Sequence, residues 1–336
     1  MRIGHTWKST ASRQAQEVEG VVHARQSVQA PEYASVSSPT LMLILGRVAA
    51  GAIAEKYLSL AHNVEIVAFT SSIGNEFLFP PTPEHPTPAS NPEFLSLINT
   101  ITREEVDAHI PVRCPNAEAS RRMEDLITDF KKREDSIGGT VTCVLRNVPT
   151  GLGEPCFDKL EAMLAHAMLS IPATKGFEIG SGFGGCQMPG SVHNDPFIKA
   201  PAQGPGKPRL TTKTNNSGGI QGGISNGAHI YFTVGFKPPA TIGQAQNTAT
   251  YDQEDGVLEA KGRHDPSVVP RAVPIVEAMA ALVIIDALLA QQSRQTARSL
   301  IPPVKQTIPA KETVVGGQEA LKKAEENNEK AANGHV

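Results

Sequence analysis

The sequence predicts an α+β protein whose sheets are antiparallel, on three observations. The chain has 336 residues, of which 40% are apolar, enough to bury a substantial core. Segments with helical and with strand periodicity are interleaved along it. The clearest strand, His229–Lys237, alternates, with Ile230, Phe232, Val234 and Phe236 on one side. Alternation is typical of antiparallel strands with one covered face, whereas strands of a doubly wound parallel sheet are continuously apolar.

The N-terminal third divides into four segments. Residues 1–45 are polar and aperiodic, which predicts an irregular arm. Gly46–Leu58 is rich in small residues and predicts a helix that packs closely against its neighbours. Val64–Thr70 predicts a strand. Residues 77–96 carry five prolines between Phe79 and Pro88, which predicts an insertion on the surface because proline lacks the amide donor of a ladder.

The middle of the chain predicts a helix, a strand and a second helix. Residues 116–134 are charged and amphipathic, residues 140–148 are rich in β-branched residues, and residues 157–168 are again helical. The second helix is predicted to place four apolar side chains on one face: Phe157, Leu160, Leu164 and Met168.

The C-terminal part begins with a long apolar segment. Val273–Ala290 could be mistaken for a membrane span, but Glu277 and Asp286 lie inside it, so we predict a buried core helix. Residues 291–336 are predicted to form a polar, charged tail. The predicted domain therefore spans residues 46–290.

Charge and cysteine content argue against several classes of protein. The net charge of −3 gives no reason to expect nucleic acid or a membrane as partner. The cysteines form no C-x-x-C pair and complete no zinc pattern, so we expect free thiols and no metal site. No signal peptide is recognisable, which favours the cytosol. The four cysteines are Cys114, Cys143, Cys156 and Cys186.

The segment Gly262–Pro266 is the leading candidate for chemistry. It places Arg263, His264 and Asp265 side by side just before the long apolar helix. A carboxylate near an arginine and a helix start is a natural position for a tuned acid or a bound anion. The same letters also fit an ordinary solvated turn before a helix.

Two further features allow a functional and an ordinary interpretation. Gly218–Gly227 contains five glycines and could bring backbone amides to a phosphate, or could simply form a hairpin. It matches neither a Walker loop nor a dinucleotide fingerprint. Lys237, at the end of a strand, could hold a phosphate or a polarised carbonyl, or could be an exposed lysine.

Taken together and in this order, six segments closely resemble the chorismate synthases. The resemblance covers about residues 46–290. The proline-rich insertion and charged tail are most similar to eukaryotic members, which also reduce their flavin with NADPH. The segments are Gly46–Ala52, Asp135–Gly139, Gly151–Pro155, Gly222–Gly227, Lys237–Pro238 and Gly262–Pro266.

The resemblance implies a fold, a reaction and an assembly. The family fold is a β-α-β sandwich in which antiparallel sheets flank a helical core, and the family assembles as a homotetramer. Its members eliminate phosphate from 5-enolpyruvylshikimate 3-phosphate by an anti-1,4-elimination to give chorismate. They require reduced FMN although no net oxidation occurs.

The resemblance also implies roles for particular residues. Asp265 matches an aspartate close to the flavin N5 that assists proton removal from the substrate, which suits a carboxylate. His264 beside it is expected to be structural. The positions that match FMN contacts are Pro172, Ala173, Gly223, Lys237, Pro238, Pro239, Ala240, Thr241 and Arg263.

The sequence departs from the family pattern in its N-terminal part. The family motifs Gly-Glu-Ser-His-Gly, Arg-Arg-Pro-Gly, Pro-Ser-His-Ala-Asp and Gly-Arg-Ser-Ser-Ala-Arg-Glu-Thr do not occur in it. These motifs carry both histidines thought to act as acids and most arginines for the substrate phosphate. We therefore interpret the chain as a homologue whose N-terminal part is missing or altered, and expect low or absent lyase activity. Two alternatives are an inactive homologue that acts as an oligomer subunit or flavin-binding protein, and an unrelated phosphate-binding module built on the Gly218 loop.

Overall fold

The computed structural model describes most of the chain between residues 34 and 301. The chain divides into two compact units, Met1–Gln292 and Ser293–Val336, and all packing discussed below lies within the first. The described residues are 34–199, 210–249, 253–260, 262 and 264–301.

Eight α-helices, one 3-10 helix (Pro88–Ser90) and eleven strands occur in these described ranges. The helices are α1 (Ala34–His62), α2 (Pro92–Thr100), α3 (Arg103–Asp107), α4 (Ala117–Lys132), α5 (Leu160–Leu169), α6 (Gly182–Gly185), α7 (Gly190–His193) and α8 (Val269–Ser299). The strands are β1 (Glu65–Ile73), β2 (Glu76–Phe77), β3 (Gly139–Arg146), β4 (Thr174–Ile179), β5 (Phe197–Lys199), β6 (Leu210–Thr212), β7 (Ile220–Gln221), β8 (Ile224–Ser225), β9 (Ile230–Phe236), β10 (Gln246–Ala249) and β11 (Asp255–Leu258).

The centre of the molecule is a five-stranded sheet in the order β2-β1-β3-β9-β4. Every neighbouring pair in it is antiparallel, which confirms the predicted α+β class. Three two-stranded hairpins, β5-β6, β7-β8 and β10-β11, lie outside this sheet.

The two long helices pack against each other and belong to the same apolar core as one face of the sheet. A Cβ on Gly51 of α1 would lie 2.5 Å from the Cβ of Ala278 in α8, so a residue without a side chain is needed there. The predicted close packing of the small-residue helix is therefore confirmed. Helix α8 is long and apolar enough to cross a membrane, but 78% of its most apolar window is buried in the protein, as predicted for a core helix.

The opposite face of the sheet is also covered in part. Ile230, Phe232, Val234 and Phe236 are buried against the helices, as the alternation predicts. Tyr231, on the other face, is nevertheless only 1% exposed, because Phe94 and Ile98 of α2 cover it. The expectation that β9 is half-buried is therefore wrong at this position. The short helix α2, which begins at Pro92 inside the predicted surface insertion, supplies the unexpected cover.

On the outer edge of β1, backbone groups of residues 66–68 form hydrogen bonds with side chains and not with another strand. Glu277 accepts the amide of Ala68 at 2.9 Å, and Arg103 donates to the carbonyl of Ile66 at 3.2 Å. Arg103 also pairs with Glu277 and Glu55. Burial lowers the pKa of Arg103, but these two carboxylates outweigh it and raise the pKa above its ordinary value. The network leaves fewer unpaired ladder groups on this edge.

The start of α5 differs from the prediction. Leu160, Leu164 and Met168 are fully buried on one face, but Phe157 is 92% exposed. The helix begins only at Leu160, because residues 154–158 form a tight turn in which the amide of Glu154 donates to the carbonyl of Asp158 at 3.1 Å. Phe157 has a positive φ of 56° in this turn, so it does not share the helical face.

The two ends of the central sheet carry different turns, and we call them the lysine end and the hairpin end. At the lysine end, Gly139, Phe236 and Thr174 pair across β3, β9 and β4, and Lys237 follows directly. At the hairpin end, Leu145 pairs with Ile230, and the β7-β8 hairpin lies next to the start of β9. Strand β9 has seven residues, so the ends are roughly 20 Å apart.

Candidate functional site

Three chain segments that are distant in sequence meet at the lysine end. The turn between α4 and β3 lies between the other two segments. The amide of Ile137 in this turn donates to the carbonyl of Pro266 at 2.8 Å, and the hydroxyl of Ser136 donates to the carbonyl of Pro239 at 2.6 Å. The fold therefore brings the Asp265 turn and the Lys237–Thr241 segment to the same loop.

The predicted cofactor residues Ala173 and Lys237 also meet there. The amide of Lys237 donates to the carbonyl of Ala173 at 2.9 Å, and Ala173 has a positive φ of 67°. Pro172 and Thr241 are exposed nearby in sequence. Lys237 and Pro238 line a shallow cleft of about 500 Å³ together with Lys175.

Asp265 lines a second cleft, of about 380 Å³, at the N-terminal end of α8. Its carboxylate forms an ion pair with Arg271, and 28% of the Asp265 side chain is exposed. His264 points its Nε2 at the carbonyl of Ala260, 2.8 Å away, so its ring is engaged within its own loop. That contact agrees with a structural role for His264. Arg263 lies outside the described residues.

Arg113 supports the helix that follows this turn. Helix α8 contains Pro274, which has no amide to donate to the carbonyl of Pro270 four residues earlier. Nη1 of Arg113 donates to that carbonyl at 2.8 Å instead. The side chain of Arg113 is only 7% exposed. Arg113 and Arg271 are not among the residues predicted from the sequence, although Pro274 was a signal, since a proline inside a helix leaves the carbonyl four residues earlier without its amide donor.

Gly223 is not brought together with the other predicted cofactor residues. It lies in the tip of the β7-β8 hairpin, where its carbonyl accepts the amide of Leu160 at the start of α5 at 2.9 Å. Helix α5 has ten residues and so covers roughly 15 Å before the chain reaches Pro172 and Ala173. Within one chain, Gly223 and Lys237 thus occupy opposite ends of the sheet.

The glycine-rich segment forms the hairpin that was one of its two sequence interpretations. The turn just before this segment is held by the carboxylate of Asp195. The amides of Asn216 and Ser217 each donate to it at 2.8 Å. Burial raises the pKa of Asp195, but these bonds and one from the Thr214 hydroxyl outweigh it and lower the pKa below its ordinary value. Gly219 donates its amide to the side chain of Asn215 at 2.7 Å.

The residues at the lysine end fit a polar, anionic ligand. The hydroxyl Oγ1 of Thr174, next to Ala173, is buried and has no hydrogen-bond partner among the described residues. The side chain of Lys237 is exposed at the rim of the adjoining cleft. An exposed ammonium group at a cleft can hold the acceptor oxygens of a phosphate or a ribityl chain, and the Thr174 hydroxyl is an unused donor on the neighbouring strand β4.

Comparison with known proteins gives one consistent family. A family model described as chorismate synthase matches residues 43–289. A chorismate synthase of Neurospora crassa is 72% identical over 287 residues, which are 81% of this chain and 66% of that protein. A chorismate synthase of Saccharomyces cerevisiae is 61% identical over 76% of this chain and 65% of its own length.

A solved structure gives the same result for the fold. A crystal structure described as chorismate synthase matches with a TM-score of 0.61 and 28% sequence identity, over 78% of this chain and 68% of that chain. The chain thus spans about two thirds of the length of the relatives it matches.

Proposed function

Because the chain belongs to the chorismate synthase family, we propose that its lysine end forms part of a reduced-FMN site for the elimination of phosphate from 5-enolpyruvylshikimate 3-phosphate. In this anti-1,4-elimination one C–H and one C–O bond break, a C=C bond forms, and the products are chorismate and phosphate. The observation that carries the proposal is that the Lys237–Thr241 segment and the Asp265 turn contact one loop, while Ala173 is hydrogen-bonded to Lys237.

The proposed roles follow from the positions of the groups. Lys237 and the hydroxyl of Thr174 would hold oxygen atoms of the cofactor, with the backbone of Ala173 beside them. Reduced FMN, when bound, supplies the electron-rich ring that the family's elimination requires. Asp265, with its carboxylate at the edge of a cleft, would accept the proton that leaves the substrate. Arg263 remains a predicted cofactor contact.

We propose that this chain alone has low or absent lyase activity. The family motifs that carry the two acid histidines and most phosphate-binding arginines are absent from its sequence. Without a donor for the leaving phosphate, the elimination would lose most of its stabilisation of developing charge. This observation supports the second candidate function, a flavin-binding member of a larger assembly, for which the resemblance suggests a homotetramer. NADPH would act as reductant if the flavin reductase activity of eukaryotic members is kept.

Anaerobic titration and phosphate assay test both statements on the full chain. We expect reduced FMN to bind, and phosphate release from 5-enolpyruvylshikimate 3-phosphate to stay near the uncatalysed rate. Release at rates typical of enzymes, on the order of 1 to 10³ per second, would show full lyase activity and overturn the second statement. A chain that is folded by circular dichroism but does not bind reduced FMN would overturn the first.

A further inference from the structure

We propose that Arg271 is a positioning residue for Asp265, and that Arg113 fixes the helical turn from which Arg271 acts. The inference rests on the proposed function, because Asp265 is the group that would accept the substrate proton. It assigns a role to two arginines that neither the motifs nor the resemblance singled out.

Arg271 and Asp265 form an ion pair beside the cleft. Asp265 precedes the first residue of α8, Val269, and Arg271 lies in the first turn of that helix. Nη1 of Arg271 contacts Oδ2 of Asp265. Of the two side chains, 38% and 28% respectively are exposed, so the pair lies at the wall of the cleft and within reach of a ligand. A carboxylate held in this way has fewer rotamers available and a neutralised charge.

The helix that carries Arg271 has a weak point in its first turn. The carbonyl of Pro270 would normally accept the amide of residue 274, but residue 274 is proline. The pyrrolidine ring also crowds that carbonyl, so the first turn of α8 has neither its hydrogen bond nor its usual geometry. A turn in this condition would hold Arg271 loosely.

Arg113 compensates for that weak point from outside the helix. Its guanidinium donates to the carbonyl of Pro270 at 2.8 Å, and its Nε lies 3.4 Å from Asp107. Its own carbonyl accepts the amide of Thr70 in β1 at 2.9 Å, so the arginine is tied to the central sheet. The sheet thereby fixes the first turn of α8, and that turn presents Arg271 to Asp265.

This arrangement makes a prediction that a purely structural ion pair does not make. If Arg271 neutralises Asp265 beside an anionic ligand, its loss leaves an unpaired carboxylate that repels the ligand. Removing the carboxylate as well should then restore affinity. A purely structural role predicts instead a lower midpoint of thermal unfolding for Arg271→Gln with no change in its Kd for reduced FMN.

The test is an anaerobic titration of the full chain with reduced FMN, followed by flavin absorbance, with thermal unfolding measured in parallel. For Arg271→Gln we expect a Kd about five-fold higher than for the unchanged chain. The double variant Arg271→Gln/Asp265→Asn should bind no more weakly than Asp265→Asn alone, and Arg271→Lys should recover at least half of the loss. Arg122→Gln on α4, which breaks an exposed ion pair with Glu76 of β2, is the matched control and should not change the Kd.

The outcomes separate this inference from the function on which it rests. If the unchanged chain binds reduced FMN but Arg271→Gln binds as tightly as Arg122→Gln, the positioning role is wrong and the proposed function stands. Additive losses in the double variant would also overturn it. If the unchanged chain does not bind reduced FMN, the proposed function and the inference both fail.

Discussion

At the hairpin end of the sheet, the turn before the glycine-rich segment uses its backbone amides within the protein, whereas the lysine end has a buried hydroxyl without a partner among the described residues and an exposed lysine. The amides of Asn216 and Ser217 donate to Asp195. At the other end the hydroxyl of Thr174 has no partner among the described residues, and Lys237 is exposed. A glycine-rich turn is therefore a candidate binding loop only where its donors remain available. The side-chain amide of Asn226 at the hairpin end is also buried without a partner among the described residues, so the exposed ammonium of Lys237 is the feature for which we propose the lysine end as the ligand end.

The largest expected effect is on stability at the hairpin end. Gly223 has a φ of 88°, and a Cβ there would collide with the carbonyl oxygen of Glu154. We expect Gly223→Ala to lower the free energy of unfolding by about 2–4 kcal/mol, measured by urea denaturation. Gly222→Ala is the matched control, because its φ is 62° but nothing lies within 4 Å of its Cβ. It should cost only about 1–2 kcal/mol, and an equal cost for both variants would contradict the packing role of Gly223.

The next effect tests the support of α8 beside the lysine end. Arg113→Met leaves the carbonyl of Pro270 without a donor and should lower the free energy of unfolding by about 2 kcal/mol. In the background of Pro274→Ala, residue 274 regains an amide that can donate to the same carbonyl. The same arginine substitution should then cost about 1 kcal/mol less. An unchanged cost in this double-mutant cycle would show that the hydrogen bond to Pro270 is not the important contact of Arg113.

A smaller, pH-dependent effect is expected for Asp195 at the hairpin end. Asp195→Asn removes charged acceptors of two backbone amides and should cost about 1–2 kcal/mol near neutral pH. The pKa of Asp195 is lowered by its hydrogen bonds, so its contribution is present above the unfolded pKa, near 4, and is lost as the pH falls through the lower folded value. Unfolding curves of the two proteins should therefore converge at acid pH. A constant difference down to about pH 2 would contradict this account.

The smallest effect on stability is expected at the lysine end, where Lys237 is exposed. Lys237→Ala should change the free energy of unfolding by less than about 0.5 kcal/mol. Its effect should be on binding instead, with a Kd for reduced FMN raised about ten-fold by loss of a charge-assisted contact. Lys56→Ala, a partly exposed lysine of α1, is the control and should leave the Kd unchanged. A large loss of stability with no change in Kd would reverse the roles that we assign to the two ends.

The sequence was sufficient for the parts of the fold that depend on local pattern. Alternation in β9 identified the core residues Ile230 and Phe232, and small residues in α1 indicated close packing, which the structure shows against α8. It failed for Phe157 and Tyr231, because a turn and a covering helix elsewhere in the chain decided their exposure. Local pattern carries no information on such long-range contacts.

The candidate site was predictable to a similar extent. The resemblance supplied Asp265 and Lys237, and the fold brings their segments to one loop. It could not supply Arg113, because Pro274 indicates that the carbonyl of Pro270 needs an outside donor but not which distant residue provides it. Nor could it show that Gly223 lies at the other end of the sheet from Lys237, since residue spacing does not give the direction of a strand.

Hydrogen–deuterium exchange of the full chain, with and without reduced FMN under anaerobic conditions, tests most directly whether the lysine end is the ligand end. Peptides are compared from the lysine end, residues 133–139, 172–175 and 237–243, and from the hairpin end, residues 214–226. The account predicts that reduced FMN slows exchange at the lysine end, with protection largest around Lys237. Unchanged exchange there, together with slower exchange of residues 214–226, would contradict it.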